Sequence, residues 1–250
     1  MFKILNFTGF TGDLDDIKTA AVANLSYLEP SKNINSFAKG YHAKLKNNGT
    51  IEVWIITGLT SVSGYSLEEG WKEDYFIISS EYLYNTYSIN SSCGVFYFED
   101  NLWIDGTLKG RLTVASANLI TSGAYTDVVL PGNINYTTTD GSDVLEIIAE
   151  RNMLISPNSP DSMVLRGIFI AQTGRFGRNH YLNNIKTLLQ TFGAVISFGR
   201  TGTQWTSGGQ IISGYRTRDD YIDSNLIYGA PPFTPHVSPD FRIIKWEEIK

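Results

Sequence analysis

The stretch Asn101–Ser116 constrains the fold of this chain more than any other segment. Gly106 and Gly110 interrupt a run in which apolar and polar residues alternate. The apolar positions are Leu102, Ile104, Leu108, Leu112 and Val114. Period-two alternation is typical of strands with one buried face, and a glycine inside such a run marks a sharp bend. Short strands bent repeatedly around one core are typical of a β-solenoid, which we predict here.

Similar short apolar runs continue from Gly94 to about Ser197, with Asn and Gly at many of the corners. The strands that this pattern predicts are 95–98, 101–105, 107–108, 111–115, 127–130, 133–137, 144–149, 152–155, 163–171 and 188–197. Aromatic residues make up 13% of the chain, which is typical of β-rich proteins. No repeat of fixed length occurs, so the prediction is a mainly β protein with an irregular solenoid. A β-sandwich is the alternative, but it would need longer strands joined by hairpin turns.

The residues before this core predict one helix and one hairpin. Asp13 can cap a helix over 13–24, which we expect to pack against a sheet edge or a solenoid end. The pair Asn48-Gly49 lies between two alternating runs and predicts a hairpin over 41–57, with positive φ at both turn positions. Further strands are expected at 2–10, 71–80 and 81–89, with loops at 33–40 and 58–70.

We therefore divide the chain into three parts that pack as one continuous domain. Residues 1–93 form an α/β cap or insertion, residues 94–198 the solenoid core, and residues 199–250 a C-terminal cap rich in Gly and Pro. In the last part we expect a loop, a short strand at Gln210–Ser213, and a final strand carrying Phe241, Ile243 and Trp246. The prolines of the tail keep much of it extended.

Charge is distributed unevenly along the chain. Residues 151–218 contain eight Lys and Arg residues against the single acidic residue Asp161, although the whole chain has a net charge of −5. The predicted binding residues in this basic segment are Arg175, Arg178, His180, Arg200, Trp205, Tyr215, Arg216 and Arg218, and Arg166, Lys186, Phe176 and Tyr181 lie among them. Arginine pairs with phosphate or carboxylate through a planar fork, and aromatic rings can stack on bases or sugars.

The segment 175–218 therefore predicts a groove for DNA or an acidic polysaccharide. The alternative is a set of solvated loop arginines, some of them paired with the acidic residues of 219–223. That acidic cluster, Asp219, Asp220 and Asp223, is itself a weak calcium candidate because it lacks the spacing of an EF-hand loop. The three histidines are widely separated and Cys93 is the only cysteine, so no other metal site, no disulfide and no cofactor is predicted.

No grouping of residues predicts catalysis, and we expect a non-enzymatic protein. A carbohydrate-active solenoid enzyme is the alternative, since such hydrolases use two carboxylates as acid and base. Asp140 and Asp143 are close in sequence, but Gly141 and Ser142 between them indicate a turn. Arg242 and Lys245 only faintly match the basic pair of such hydrolases, and the expected aspartate and histidine motifs are missing.

Several strings of the sequence resemble a known family. They are DLDDIKTAA, GYHAKLKNNGTIEVW, GTLKGRLTVASANLI, GSDVLEIIAERNMLI, LRGIFIAQTGRFGRNHY, GYRTR, LIYGAPPFTP and IIKWEEI. Together they resemble the β-helical ectodomains of PilX-like, pilin-like bacterial surface proteins. The resemblance implies an extracellular right-handed β-solenoid on a pilin-like N-terminal membrane helix. No apolar run in this sequence approaches the ~18 residues of such a helix, so we expect a piece of a longer protein.

The resemblance implies a role in adhesion or surface contact at the bacterial cell surface. Its expected partners are other pilus or cell-surface proteins, with membrane contact only through the missing helix. A DNA- or polyanion-binding minor pilin that uses residues 175–218 is the second reading. The family supplies no catalytic residues that could be carried over to this chain.

Overall fold

The computed structural model describes residues 10–90 and 94–234, which are mainly β. The helices are α1 (Phe10–Ala23), α2 (Ser31–Ile34) and a 3-10 turn at Ser224–Ile227. The first eight strands are β1 (Tyr27–Leu28), β2 (Tyr41–Lys46), β3 (Thr50–Ser66), β4 (Gly70–Ser88), β5 (Gly94–Phe98), β6 (Leu102–Leu108), β7 (Arg111–Ser116) and β8 (Val128–Leu130). The other eight are β9 (Ile134–Tyr136), β10 (Val144–Ala149), β11 (Met153–Ile155), β12 (Ser162–Ala171), β13 (Phe176–Gly177), β14 (Ile185–Ser197), β15 (Gln204–Ser207) and β16 (Gln210–Tyr221). Within these ranges, no helix is long and apolar enough to span a membrane.

Parallel pairing joins most of these strands. One parallel series runs β1–β5–β7–β10–β12–β14–β16. A second runs β6–β8–β11–β13, and β2 pairs in parallel with β6. Antiparallel pairing of strands is confined to β2–β3–β4 and β15–β16. The strand bounds predicted from residue 94 onward are confirmed to within three residues, and the alternation of apolar residues was sufficient to place them.

Glycines bend the longer strands, as the sequence predicted. In β6, the residues before Gly106 pair with β8, whereas Gly106 and the residues after it pair with β9. In β12, Leu165 pairs with β9 before Gly167, and the residues after it pair with β10. Gly106 and Gly167 have φ of 115° and 142°, a region that favours glycine. The bends pass one strand from one parallel series to another.

The register stacks like side chains on like. Phe96 pairs with Val114, Val114 with Ile147, Ile147 with Phe169, and Phe169 with Val195. This column belongs to one continuous buried cluster that extends from Leu28 to Tyr215 and so includes residues of all three predicted parts of the chain. All five apolar residues of Asn101–Ser116 are fully buried in it. The organising stretch is therefore core.

Helix α1 covers the outer face of the same strands. Leu14, Ile17 and Ala21 are buried in a second apolar cluster with Tyr97 and Ile148. The helix thus packs on a sheet face rather than on the sheet edge or solenoid end that we expected. It begins at Phe10 and not at Asp13, so Asp13 is not its cap. Both faces of β5, β7 and β10 are apolar because this helix shields the outer one.

Strands β3 and β4 form a long two-stranded arm, defined here as Thr50–Ser88. The predicted loop at 58–70 is wrong, because β3 continues to Ser66 and the turn is confined to residues 67–69. The strands predicted at 71–80 and 81–89 are one strand. Many side chains of the arm are exposed on both faces, so its sequence has little alternation. The strands predicted at 2–9 and at 241–246 lie outside the described residues.

The turn at residues 47–49 also differs from the prediction. It has three residues, with the Gly49 N–H donating to the Lys46 carbonyl at 3.2 Å. Only Gly49 has positive φ, at 84°, so positive φ at both Asn48 and Gly49 is wrong. Three-residue hairpin loops need one left-handed residue, and glycine supplies it. Residues 31–34, partly placed in a loop, form the short helix α2.

Candidate functional site

The loop Arg175–Tyr181 is held against the tip of the arm. Tyr65 and His180 exchange two backbone hydrogen bonds of 3.0 and 2.9 Å. The His180 ring packs against Trp71 and Trp205, with centroids 5.4 and 5.9 Å away. The arm is thereby fixed at both of its ends, and its tip becomes one wall of the site described below.

A buried polar network reinforces this junction. The Asp74 carboxylate accepts hydrogen bonds from the Asn179 amide at 2.6 Å and from the Tyr181 hydroxyl at 3.0 Å. Arg175 donates to the amide oxygen of Asn179. Burial raises the pKa of Asp74, although its two hydrogen bonds and Lys72 act in the opposite direction. The network joins β4 to the loop without reaching the surface.

Beside this junction lies a groove of about 600 Å³, which we call the basic groove. Its residues come from the arm tip, the loop before β13, the β15–β16 hairpin and the segment leading into it. They are Leu67, Glu68, Arg175, Arg200, Thr201, Gly202, Thr203, Gln204, Trp205, Thr206, Tyr215, Arg216 and Arg218. Six of the eight predicted binding residues therefore line one groove, although up to 43 positions separate them along the chain.

The four arginines of the basic groove are not equivalent. Arg175 forms an ion pair with Glu68 at 3.2 Å, and Arg218 forms one with Asp220 at 2.9 Å. Arg200 and Arg216 are exposed, and their guanidinium groups have no ion pair or hydrogen bond with any residue of 10–90 or 94–234. These two cations are available to an external anion. The alternative of arginines paired with 219–223 holds for Arg218 alone.

Arg178 and Tyr215 are misplaced in the predicted binding set, because both are buried. Arg178 is 0% exposed and donates to the Asn184 side chain at 2.7 Å, with longer contacts to the carbonyl oxygen of Pro157 and to Ser213. Tyr215 is 1% exposed, and its hydroxyl bonds to Ser159 at 3.0 Å. Both side chains support the floor of the groove from below and cannot touch a ligand.

Trp205 and His180 are also engaged within the protein. The Trp205 indole donates to the carbonyl oxygen of Arg178 at 2.9 Å, and its ring packs edge-on against Tyr65. Burial and the nearby Arg178 lower the pKa of His180, so this imidazole is neutral at pH 7. His180 therefore adds no positive charge, and neither ring is a free stacking surface.

The remaining aromatic and basic residues of the segment are dispersed. Phe176 and Tyr181 are in the buried core. Arg166 stacks on the Phe192 ring, with its guanidinium carbon 3.9 Å from the centroid. Burial, together with Arg178, lowers the pKa of Lys186. None of these four lines the basic groove.

The predicted calcium ligands do not converge. Asp220 pairs with Arg218, and Asp223 accepts a hydrogen bond from the Asn225 N–H at the start of the 3-10 turn. Asp219 and Asp220 are neighbours on an extended strand, so their side chains point to opposite faces. Within residues 10–90 and 94–234, no three acidic, His or Cys side chains group as a metal site would require. We therefore drop the calcium interpretation.

Asp140 and Asp143 are turn residues, as their sequence context predicted. The Asp143 carboxylate accepts from the backbone N–H of Gly110 at 2.6 Å and of Thr138 at 2.7 Å. Hydrogen bonds from Ser142, and then from Thr138, lower the pKa of exposed Asp140 to about 2. Both carboxylates are consumed in holding the turn between β9 and β10.

Sequence reasoning missed a charged cluster formed by residues far apart in the chain. Its members are His42 on β2, Glu81 on β4 and Asp105 on β6. The His42 Nδ1 lies 2.9 Å from Glu81, and its Nε2 lies 3.3 Å from Asp105. Lys44 donates to the same Glu81 at 2.5 Å. The partners come from three strands, so no spacing in the sequence could have indicated the cluster.

The cluster makes stability depend on pH. Burial alone would lower the pKa of His42, but hydrogen bonds with Asp105 and Glu81 outweigh it and leave the pKa raised. A raised folded-state pKa gives stability that is complete below the unfolded pKa of about 6.5 and is lost as pH rises through the folded pKa. Burial tends to raise the pKa of Glu81, yet His42 and Lys44 leave it lowered, so Glu81 stays ionised over this range.

We therefore expect His42→Asn to destabilise the protein more at about pH 6 than at about pH 9. Urea unfolding of both proteins at the two pH values measures the difference. Glu81→Gln removes one partner and should reduce the same pH dependence. An equal loss of stability for His42→Asn at both pH values would contradict the pairing.

Comparisons with known proteins add no name to this geometry. No protein-family model, no curated protein and no solved structure matches the chain. The function must be argued from the residues themselves.

Proposed function

We propose that this protein is a non-enzymatic surface module that binds an acidic polysaccharide in its basic groove. The observation that carries the proposal is the pair Arg200 and Arg216, exposed and without a partner among the described residues. They lie in one groove with Arg175 and Arg218, against the single lining carboxylate of Glu68. A guanidinium binds a carboxylate or sulfate through two parallel hydrogen bonds.

We infer that the parallel strands are the rungs of an irregular β-solenoid. Three features support it: parallel pairing through successive strands, columns of like apolar residues, and glycine bends that pass a strand between series. A sandwich of antiparallel sheets has none of these features. The right-handed sense is taken from the family resemblance. A rigid scaffold of this kind suits loops that bind a long polymer.

The surface location and the role in adhesion rest on the resemblance to pilin-like ectodomains. In that setting, the module is displayed outside the cell by a membrane helix and contacts other pilus or surface proteins. An acidic polysaccharide is a common chemistry of cell surfaces and of the material between cells. Binding through exposed arginines then gives adhesion without any catalytic group.

An acidic polysaccharide fits the groove better than DNA. Proteins that bind single strands combine positive charge with free aromatic rings on which bases stack. The two aromatic residues of this groove are not free, because Trp205 packs against Tyr65 and His180, and Tyr215 is buried. Charge and hydrogen-bond donors remain, which suits a carboxylated or sulfated sugar chain.

The double variant Arg200→Ala plus Arg216→Ala is expected to weaken binding to alginate, a polysaccharide carboxylated on every sugar, by about tenfold or more. It removes the two unpaired cations and leaves both ion-paired arginines in place. Isothermal titration at low salt measures the change. Wild-type affinity for alginate should fall steeply as salt is raised.

Lys32→Ala plus Lys109→Ala is the matched control. Both lysines are exposed and outside the groove, and the net charge changes by the same amount. Equal losses for the two double variants would mean that only net charge matters, which would remove the groove from the account. Duplex DNA and oligo(dT) are expected to bind more weakly than alginate. Tighter binding of either would make the groove a nucleic-acid site.

A further inference from the structure

A second groove lies on the opposite wall of the arm, between β4 and the strands β6, β8 and β11. It has a volume of about 630 Å³, within the range of about 300–1,000 Å³ typical of small-molecule sites. We call it the tyrosine groove, because Tyr75 of β4 and Tyr125 of the loop before β8 both line it. It shares no lining residue with the basic groove.

The two tyrosines are unusually free. Tyr75 is 54% exposed and Tyr125 is 53% exposed. Neither ring packs on another aromatic ring, and neither hydroxyl hydrogen-bonds, within the described part of the chain. An aromatic side chain normally buries its apolar face. Two uncovered rings from separate elements beside one groove therefore indicate a ligand with apolar faces.

The floor between them is rigid. Trp103 and Val129 are buried in an apolar cluster with Ile56, against which Leu59 and Phe76 of the arm pack. The Trp103 indole donates to the carbonyl oxygen of Phe76 at 2.8 Å. A floor fixed in this way loses little conformational entropy when a ligand binds, which favours affinity.

One wall carries a fixed polar pair. Arg151 donates to both oxygens of the Asp127 carboxylate, at 2.8 and 2.6 Å. The same carboxylate accepts from the Asn152 N–H at 3.0 Å, and the Asn101 side-chain oxygen accepts from the Asp127 N–H at 2.9 Å. The Asn101 amide nitrogen donates to no described residue. Donors and acceptors are thus presented side by side in fixed positions.

The charges of this groove balance. Lys39, Lys72 and Arg151 line it together with Glu73, Asp74 and Asp127. The basic groove, by contrast, has four arginines and one glutamate. A balanced lining gives no long-range attraction for a polyanion. Hydroxyl groups, which both donate and accept, match such a lining better than an ion does.

We propose that the tyrosine groove binds an uncharged oligosaccharide, with sugar rings lying on Tyr75 and Tyr125. The C–H face of a sugar is apolar and weakly positive, so it complements the negative face of an aromatic ring. Its hydroxyls bond to Asn101 and to the Arg151–Asp127 pair. This second site does not depend on the basic groove and gives the module contact with two kinds of glycan.

The test uses the whole chain and four neutral hexasaccharides, made of glucose, mannose, galactose and N-acetylglucosamine. At least one is expected to bind, with an affinity that changes less than about twofold between about 50 and 500 mM NaCl. Tyr75→Ala and Tyr125→Ala are each expected to weaken it by about tenfold. Tyr75→Trp should retain binding, since it keeps an exposed aromatic face.

Tyr82→Ala is the matched control, because Tyr82 is an exposed tyrosine of the same strand outside the groove. It should bind as the wild type does. The Arg200→Ala plus Arg216→Ala variant should also keep neutral-sugar binding, so each groove can fail independently. Binding by none of the four sugars, or wild-type affinity in Tyr75→Ala and Tyr125→Ala, would overturn the proposal. Steep loss of binding with salt would do so too.

Discussion

Gly106→Ala is expected to lower the free energy of unfolding by about 3 kcal/mol or more. A Cβ at this position would lie 2.2 Å from the Leu45 carbonyl oxygen and 2.9 Å from the Leu45 nitrogen. Leu45 pairs with Gly106 between β2 and β6, so its backbone cannot retreat without breaking that pairing. The φ of 115° adds strain for any residue with a Cβ. Urea unfolding measures the loss.

Gly70→Ala is the matched control for this prediction. Gly70 also has positive φ, at 72°, but nothing lies within 4 Å of the position of its Cβ. Only the conformational penalty applies there, about 1 kcal/mol. If the two variants lost equal stability, close backbone approach would not be what Gly106 provides, and the bend between strand series would need another explanation.

Arg178→Ala is expected to cost about 3 kcal/mol of stability. It would open a cavity under Tyr181 and Tyr215, whose rings lie 5.0 and 6.0 Å from the guanidinium carbon. It would also remove the donors for Asn184 and for the carbonyl oxygen of Pro157. Burial lowers the pKa of this arginine, and no carboxylate pairs with it among the described residues.

Arg178→Met separates the two contributions, because it fills the space but donates no hydrogen bond. We expect its stability to lie between the wild type and Arg178→Ala. Near-ultraviolet circular dichroism should change in Arg178→Ala, since the Trp205 indole bonds to the backbone of residue 178. Wild-type stability in Arg178→Ala would contradict a structural role and would return this residue to the list of ligand candidates.

The strands of the core could be predicted because their physics is local. Val144–Ala149 begins and ends where the apolar run does, and Gly106 bends the chain where alternation breaks. The arm could not be predicted in the same way. Its outer part is exposed on both faces, so no period-two pattern distinguishes strand from loop between Gly58 and Gly70.

The basic groove was predicted as a segment but not as a surface. A run of arginines indicates positive charge, whereas burial depends on which elements pack over each residue. Tyr215 and Arg216 are neighbours on β16 and therefore face opposite sides of the strand. Applying that alternation to the sequence would have separated the buried Tyr215 from the exposed Arg216. Nothing local indicated that Arg178 is buried.

The tyrosine groove had no sequence indication at all. Tyr75 and Tyr125 are 50 positions apart, and the pairing of Arg151 with Asp127 depends on the stacking of β8 on β11. Exposed aromatic residues are visible only once the fold shows what fails to cover them. The two grooves flank the same arm, which holds them in a fixed relation through its contacts with residues 175–181 and with Trp103.

The dependence of alginate binding on salt tests the central claim most directly. For a linear polyanion, the slope of log K against log salt reports how many cations the protein places on the polymer. We predict that Arg200→Ala plus Arg216→Ala makes this slope shallower by about 2, one for each lost arginine contact. Lys32→Ala plus Lys109→Ala should leave it unchanged. An unchanged slope in the arginine variant would contradict the assignment of the basic groove.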